Sequence, residues 1–159
     1  MKTIPLVNKG GVTLAETIVD DADFAWLSRW TWHLGAKGYA VRFDTALNRN
    51  VWMAREIVGL KLGDRRQADH ISRDKLDNRR ANLRVVTAAQ NSQNVPARRK
   101  TSAHRGVCWD RSIGRWIAYA HRHGKRVYLG SFADESAAAA KAVAWRREHM
   151  PYSIEGAAA

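Results

Sequence analysis

Residues 67–94, QADHISRDKLDNRRANLRVVTAAQNSQN, limit what this chain can become more than any other stretch. Apolar residues are too sparse there to build a core alone, and the polar ones stand at punctuated intervals. Asp69 and His70 are adjacent, Asn82 follows twelve residues after His70, and Asn91 nine residues after Asn82. The pattern predicts a short strand through 68–71, then an irregular loop rich in Asp, Asn and Arg. A second strand is predicted at 83–86. Thr87 and Gln90 have the spacing of a capping box, in which each side chain accepts a hydrogen bond from the other's backbone amide, and so mark the start of a helix. The predicted order is strand, loop, strand, helix.

In that layout Asp69 ends one strand and Asn91 lies on the first turn or two of the helix packed across it. Their oxygens can converge on one hard cation. Mg2+ or Mn2+ suits a carboxylate and an amide oxygen, and a small protein donor set leaves room for water and phosphate. His70 points to the other side of the strand, where it can take a proton from an attacking water. Asn82, at the start of the second strand, can tie the loop backbone down through its side-chain amide. A bare Asp-His pair or a lone Asn is usually a turn or cap residue; only the four together at these spacings carry the chemistry.

The DH…N…N spacings and the run LDNRRANLRVVTAAQN closely resemble the HNH, or ββα-metal, nucleases in the form found in phage and mobile-element endonucleases. The resemblance implies that Asp69 and Asn91 hold a divalent ion, that His70 is the general base and that Asn82 braces the loop. Its substrate would be double-stranded DNA.

At 159 residues the chain can hold one ordinary domain or two small ones. Its 27 Lys and Arg against 15 Asp and Glu, a net charge of +12, point to a polyanionic partner. Twelve basic residues against five acidic ones fall after position 94, so the charge is concentrated behind the motif. The single cysteine, Cys108, excludes an intramolecular disulfide and a multi-cysteine zinc site, and agrees with a reducing cytoplasm. No apolar run has the length of a signal sequence or membrane span, so a cytoplasmic protein acting at DNA, with no membrane partner, is expected.

In the leader, 1–66, the stretch 4–14 reads as a hairpin turning at Asn8-Lys9-Gly10-Gly11. Asp20 or Asp21 is predicted to cap a short helix with Phe24, Leu27 and Trp30 at helical spacing, forming a small core with Trp26 and Trp32. After a turn at 35–38, a strand places Tyr39, Val41 and Phe43 on one face, and another strand arrives near 51–53. This leader also resembles the one that accompanies HNH motifs in phage proteins, and is expected to pack with 67–94 into one domain, 1–94. One departure stands out: relatives usually carry Met-His-Arg where this chain has Met53-Ala54-Arg55. The resemblance puts Ala54 and Arg55 beside the catalytic residues and leaves an imidazole missing. A histidine at 54 could hydrogen-bond a phosphate oxygen; His33 is read as a surface or structural residue.

Residues 95–103, VPARRKTSA, read as a basic linker in which Arg98, Arg99 and Lys100 can follow a phosphate backbone. Within 104–150, three antiparallel strands are predicted, separated at 110–114 and 123–124. An alanine-rich helix follows, with Asp134 and Glu135 at its start and Arg146 and Arg147 at its end, as the helix dipole favours. On the middle strand Arg115, Ile117, Tyr119 and His121 share one face, and Trp116, Ala118 and Ala120 share the face the helix must cover. The open face is basic and aromatic, and a sheet of this kind can enter a DNA major groove. The segment resembles the AP2 DNA-binding domain through RGV, GRWIAYA, VYLGSF and the alanine helix. That resemblance sets Arg105, Arg115, Tyr119, His121, Arg126 and Tyr128 on the DNA-contacting face. Cys108 and His121 stand where relatives often carry arginine, which bears on base specificity rather than on phosphate binding. Trp109 and Trp116 read as packing residues, and 151–159 as a tail.

The expected fold class is α+β: an N-terminal HNH ββα-metal nuclease domain followed by a small three-stranded antiparallel sheet plus helix, AP2-like. The expected function is that of a metal-dependent DNA endonuclease similar to free-standing homing endonucleases. One ββα unit carries one reaction centre, so a monomer should nick one strand, and a homodimer or two successive events would cut both. The alternative is a non-catalytic DNA-binding protein or regulator that keeps a degenerate HNH scaffold, a reading to which Ala54 lends weight.

Overall fold

The chain begins with a hairpin whose alternation already defines an inside. β1 (Lys2–Val7) pairs antiparallel with β2 (Thr13–Val19), Ile4 opposite Thr17, and Ile4, Leu6, Thr17 and Val19 are all buried. Asn8 closes the turn: its Oδ1 accepts from the amides of Gly10 and Val12 at 2.9 and 3.0 Å. The computed structural model describes residues 1–96, 101–122 and 124–157, so Arg98, Arg99 and Lys100 lie outside the described residues. Two units are distinguished, Met1–Asn91 and Ser92–Ala159. Both mix helices with small antiparallel sheets.

In the first unit, α1 (Asp21–Leu27) follows β2. Asp20 occupies the N-cap position, yet its carboxylate accepts from the Arg80 amide at 2.8 Å instead of capping the helix. Trp30 does not join the core as its spacing suggested. The helix has ended by then, and the indole stays half exposed with the Arg42 guanidinium 4.3 Å over its ring. Trp32 does enter the core, 1% exposed, its indole N–H donating to the Leu27 carbonyl at 2.9 Å.

β3 (His33–Leu34), β4 (Ala40–Asp44) and β5 (Arg49–Trp52) form an antiparallel sheet. His33 is structural, its Nδ1 donating to the Val7 carbonyl at 2.8 Å. Of the expected apolar face of β4, Val41 is buried and Phe43 exposed. On the opposite side Arg42 is buried, which its charge permits because Glu56 and Asp44 meet it at 2.6 and 2.9 Å. The strand expected near 51–53 ends at Trp52, and Met53 opens α2 (Met53–Ile57).

β6 (Gln67–His70) and β7 (Leu83–Val86) pair antiparallel, Gln67 opposite Val86 and His70 opposite Leu83. The capping box forms: Gln90 Oε1 accepts from the Thr87 amide at 2.8 Å and Thr87 Oγ1 from the Gln90 amide at 3.2 Å. α3 (Ala88–Asn91) follows. Leu83 packs in one hydrophobic cluster with Ile4, Leu6, Trp32, Met53 and Ala54, so leader and motif share a core.

In the second unit, β8 (Val107–Asp110), β9 (Arg115–Arg122) and β10 (Lys125–Phe132) form a sheet with β9 central. α4 (Glu135–His149) crosses it and α5 (Ile154–Ala157) follows. The Asp134 carboxylate caps α4, accepting from the Ala137 amide at 2.8 Å. Ala138, Ala139 and Ala142 pack with Ala118 and Val107, small side chains that let helix and sheet approach closely. Gly106, at φ 78°, is required: a Cβ there would stand 2.2 Å from the Tyr119 carbonyl oxygen. Ile117 departs from expectation, being 7% exposed on the face opposite α4. No helix among the described residues is long and apolar enough to cross a membrane.

Arg146, expected to serve the helix dipole beside Arg147, turns inward and is 4% exposed. It donates to Glu155 at 3.0 and 2.8 Å and to the Arg105 carbonyl at 2.8 Å, clasping α5 and the start of the sheet to α4. Removing one partner of a buried pair typically costs about 3 kcal/mol or more. Arg146→Ala should therefore lower the urea midpoint of this unit by a corresponding amount, while Arg147→Ala, on the exposed side, should shift it little.

Candidate functional site

A strand presents alternate residues to opposite sides. In β6, Gln67 and Asp69 share one side, while Ala68 packs against the core on the other, shared with His70. His70 is 5% exposed. Its Nε2 meets Asn78 Oδ1 at 3.1 Å; the Asn78 amide nitrogen donates to Thr17 Oγ1 at 2.7 Å, and the Thr17 hydroxyl donates to the Leu76 carbonyl at 2.7 Å. The carbonyl at the end of this series can only accept, so each group passes a donor in the same direction. Asn78 must present its oxygen to His70, and the imidazole proton sits on Nε2 with the lone pair on Nδ1. Burial is the main influence on His70 and lowers its pKa from 6.5; Asn78 and the carboxylates of Asp69, Asp74 and Asp77 pull it back up in part. The ring is neutral at pH 7, as a proton acceptor must be.

Asn82 bonds to two points of the loop after β6. Its Oδ1 accepts from the Ser72 amide at 2.9 Å and its Nδ2 donates to the Asp77 carbonyl at 2.8 Å, joining the two limbs between β6 and β7. Asp69, 7% exposed, lies across the sheet from Arg84, whose Nε and Nη2 reach Oδ2 at 2.9 and 2.7 Å. Asn91 Nδ2 donates to Gln67 Oε1 at 2.6 Å, which ties the end of α3 to the start of β6. A carboxylate and an amide oxygen on neighbouring elements are a hard donor pair of the kind Mg2+ or Mn2+ takes, with Arg84 sharing the carboxylate. Among the described residues no group of three or more His, Cys, Asp or Glu side chains could hold a metal.

His70 and Asn91 both line a cleft of about 450 Å3, together with Tyr39, Arg49, Ala54 and Lys75. Asp69 does not line it. Ala54, on the first turn of α2, is 7% exposed and belongs to both the core and the cleft wall. Arg55 also lines the cleft, but its guanidinium is engaged by the carbonyls of Arg66, Lys61 and Asp64 at 2.8, 3.1 and 3.2 Å, so it shapes the rim loop. The Tyr39 ring lies 5.8 Å from the imidazole, and the Lys75 ammonium 4.7 Å over Tyr39.

In the second unit the cross-strand register places Tyr119 opposite Tyr128 and His121 opposite Arg126. With Arg115 they share the face turned away from α4, five of the six side chains expected there. The Arg126 guanidinium stacks 4.1 Å over Tyr119, and His121 meets Tyr119 edge-on at 5.5 Å. Tyr128 is 63% exposed. Arg105 is the exception: it precedes β8, and its guanidinium is bonded to the carbonyls of Gln93 and Ser92. Trp109 and Trp116 pack edge to face at 5.2 Å.

Sequence reasoning missed Asn78, Thr17 and Arg49. Asn78 follows Asp77 in a loop, where an Asp-Asn pair reads as turn chemistry, and nothing local shows that its side chain is 1% exposed. By NMR, His70 should titrate below 6.5 with its proton on Nε2. Because the folded value lies under the unfolded one, stability from this group is complete above pH 6.5 and falls as the pH drops through the interval between the two. Asn78→Asp, which sets a carboxylate against Nε2, should raise the midpoint by about one unit or more; an unmoved midpoint would contradict the hydrogen-bond assignment.

The model of the HNH endonuclease family matches residues 64–93. An uncharacterized HNH endonuclease of Acanthamoeba polyphaga mimivirus is 34% identical over 92 residues, 56% of this chain and 47% of that protein, so the chain spans about half the length of this curated relative. No solved structure matches. Asp69, His70, Asn82 and Asn91 all fall inside the matched segment, and it is through β6, the Asn82-braced loop, β7 and α3 that this chain is similar to the HNH endonucleases.

Proposed function

We propose that this chain is a metal-dependent DNA endonuclease that hydrolyses phosphodiester bonds, with the cleft of the first unit as its reaction centre and an AP2-like second unit that docks on the duplex. The observation that carries this reading is His70: a buried imidazole, held neutral and in one tautomer, lining a cleft that also carries Arg49, Arg55 and Lys75. Nδ1 takes a proton from the water that attacks phosphorus, and the Asn78 bond keeps the ring from rotating as it becomes cationic. Mg2+ or Mn2+ held by Asp69 and Asn91 would offset the charge that develops on the phosphoryl and leaving oxygens. Asn82 holds the loop after β6, and so the end of the strand that carries His70. The cationic walls attract the backbone anion, and Arg55 keeps the rim in shape.

Arg115, Tyr119, His121, Arg126 and Tyr128 supply a basic and aromatic sheet face for the major groove, and Arg98, Arg99 and Lys100, which lie outside the described residues, add phosphate contacts. One reaction centre per chain gives a nick; cutting both strands takes two chains or two events. In this reading the protein works at cytoplasmic DNA as a site-specific nicking or homing endonuclease of a phage or other mobile element. The alternative, a DNA-binding protein with a silent scaffold, draws on two features: Ala54 at the cleft wall and the Arg84 guanidinium on Asp69.

Incubation with supercoiled plasmid should yield nicked circles in the presence of Mg2+ or Mn2+, and a chelator should stop the reaction. His70→Ala should abolish nicking while leaving DNA affinity nearly unchanged in a gel shift. Ala54→His should raise the nicking rate by about tenfold or more, part of what one transition-state hydrogen bond contributes, with little change in melting temperature. A folded wild type that binds DNA yet nicks with neither ion would establish the silent scaffold instead. A revertant that melts higher but cuts no faster would make position 54 structural.

The second unit is tested separately. A fragment of residues 92–159 should bind duplex DNA with an affinity that falls steeply as salt rises, since each phosphate contact releases counterions. Arg126→Ala should weaken that binding, and salt-independent binding or none would refute the docking role.

A further inference from the structure

Arg49 opens β5 and lines the cleft with His70. Its Nε is buried and, among the described residues, has no hydrogen-bond partner, a state that normally costs free energy and that proteins avoid. The cross-strand neighbour that should neutralise it is Asp44. That carboxylate is already occupied, accepting from Arg42 at 2.9 Å and from the Leu47 amide at 3.1 Å. Glu56, the other acid of this sheet and α2, is held by Arg42 at 2.6 and 3.3 Å. The remaining cleft cations are committed elsewhere: Arg55 to three carbonyls, Lys75 to the Lys37 carbonyl at 2.7 Å. Asp64, the one acid on the cleft wall among the described residues, is ion-paired with Arg66 at 2.7 Å.

From this arrangement we infer that Arg49 is the phosphate-binding residue of the cleft, donating to a backbone phosphate of the DNA strand presented to His70. The inference rests on the endonuclease reading and names the side chain that seats its substrate. A guanidinium is suited to the task, since it stays charged and can give two parallel N–H donors to one phosphate group. Asp44 and Glu56 are both paired with Arg42, and among the described residues neither forms an ion pair with Arg49.

The test uses the full chain in two arms. In a His70→Ala background, where DNA stays uncut, Arg49→Gln keeps most of the side-chain stem and removes the charge. It should reduce the slope of log affinity against log salt by about one, the contribution of one phosphate contact, and Arg49→Lys should restore it. With His70 intact, Arg49→Gln should lower the single-turnover nicking rate by about tenfold or more, with Arg49→Lys in between. An unchanged salt slope together with an unchanged nicking rate would overturn the inference. So would a lower melting temperature with the slope unchanged, which marks a structural arginine. If the wild type never nicks, the endonuclease reading fails, and the salt-slope arm still decides whether Arg49 holds phosphate.

Discussion

The series from Leu76 through Thr17 and Asn78 to His70 is the constraint on which the first unit depends. Thr17 and Asn78 are 0% and 1% exposed, and a buried polar atom left unanswered costs about 1–3 kcal/mol. The series satisfies them by linking three separate pieces of chain: the first hairpin, the loop after β6, and β6 itself. Backbone bonds reinforce it, Ile18 N–H to the Leu76 carbonyl and Asn78 N–H to the Ile18 carbonyl, both at 2.8 Å. The segment that resembles the HNH nucleases therefore does not orient its histidine unaided. The leader supplies the hydroxyl that fixes Asn78, and Asn78 fixes the imidazole.

Charge in the first unit is organised by subtraction. Asp23 and Asp77, both buried, have their carboxyls held below the usual range chiefly by hydrogen bonds from Arg80 and Arg79. Asp64 is lowered to about 2 by Arg66, though this pair is exposed enough to add little stability. With the acids consumed in such pairs, a unit whose excess of basic residues is small still presents a cationic cleft. The second unit reaches the same result more directly, because most of the chain's excess positive charge lies in it and five of its basic and aromatic side chains share one face of the sheet.

What was legible in the sequence was whatever depends on short-range pattern. The capping box of Thr87 and Gln90, the Asn82 brace, the two motif strands and the three strands with their alanine helix all follow from spacing and residue type within a few positions. Trp30 and Arg146 were misplaced because helical spacing assumes the helix continues and the charge stays outside. In fact α1 stops at Leu27, and Glu155 draws Arg146 inward from a segment beyond the helix. Asn78 and Arg49 were illegible for a related reason: the role of each is set by partners from other parts of the chain, or by the lack of one, which no local window contains.

Position 54 shows how an element boundary can decide a site. The chain turns helical at Met53, directly after β5, and Arg55 ties the new helix to the rim loop through three carbonyls. Trp52 and Ala54 both line the cleft, but Trp52, at the end of the strand, is 43% exposed, whereas Ala54, on the helix, is 7% exposed and belongs to the core as well. α2 packs beside the β6 strand that carries His70. The backbone thus keeps position 54 directed at the site although the side chain now there offers no polar atom.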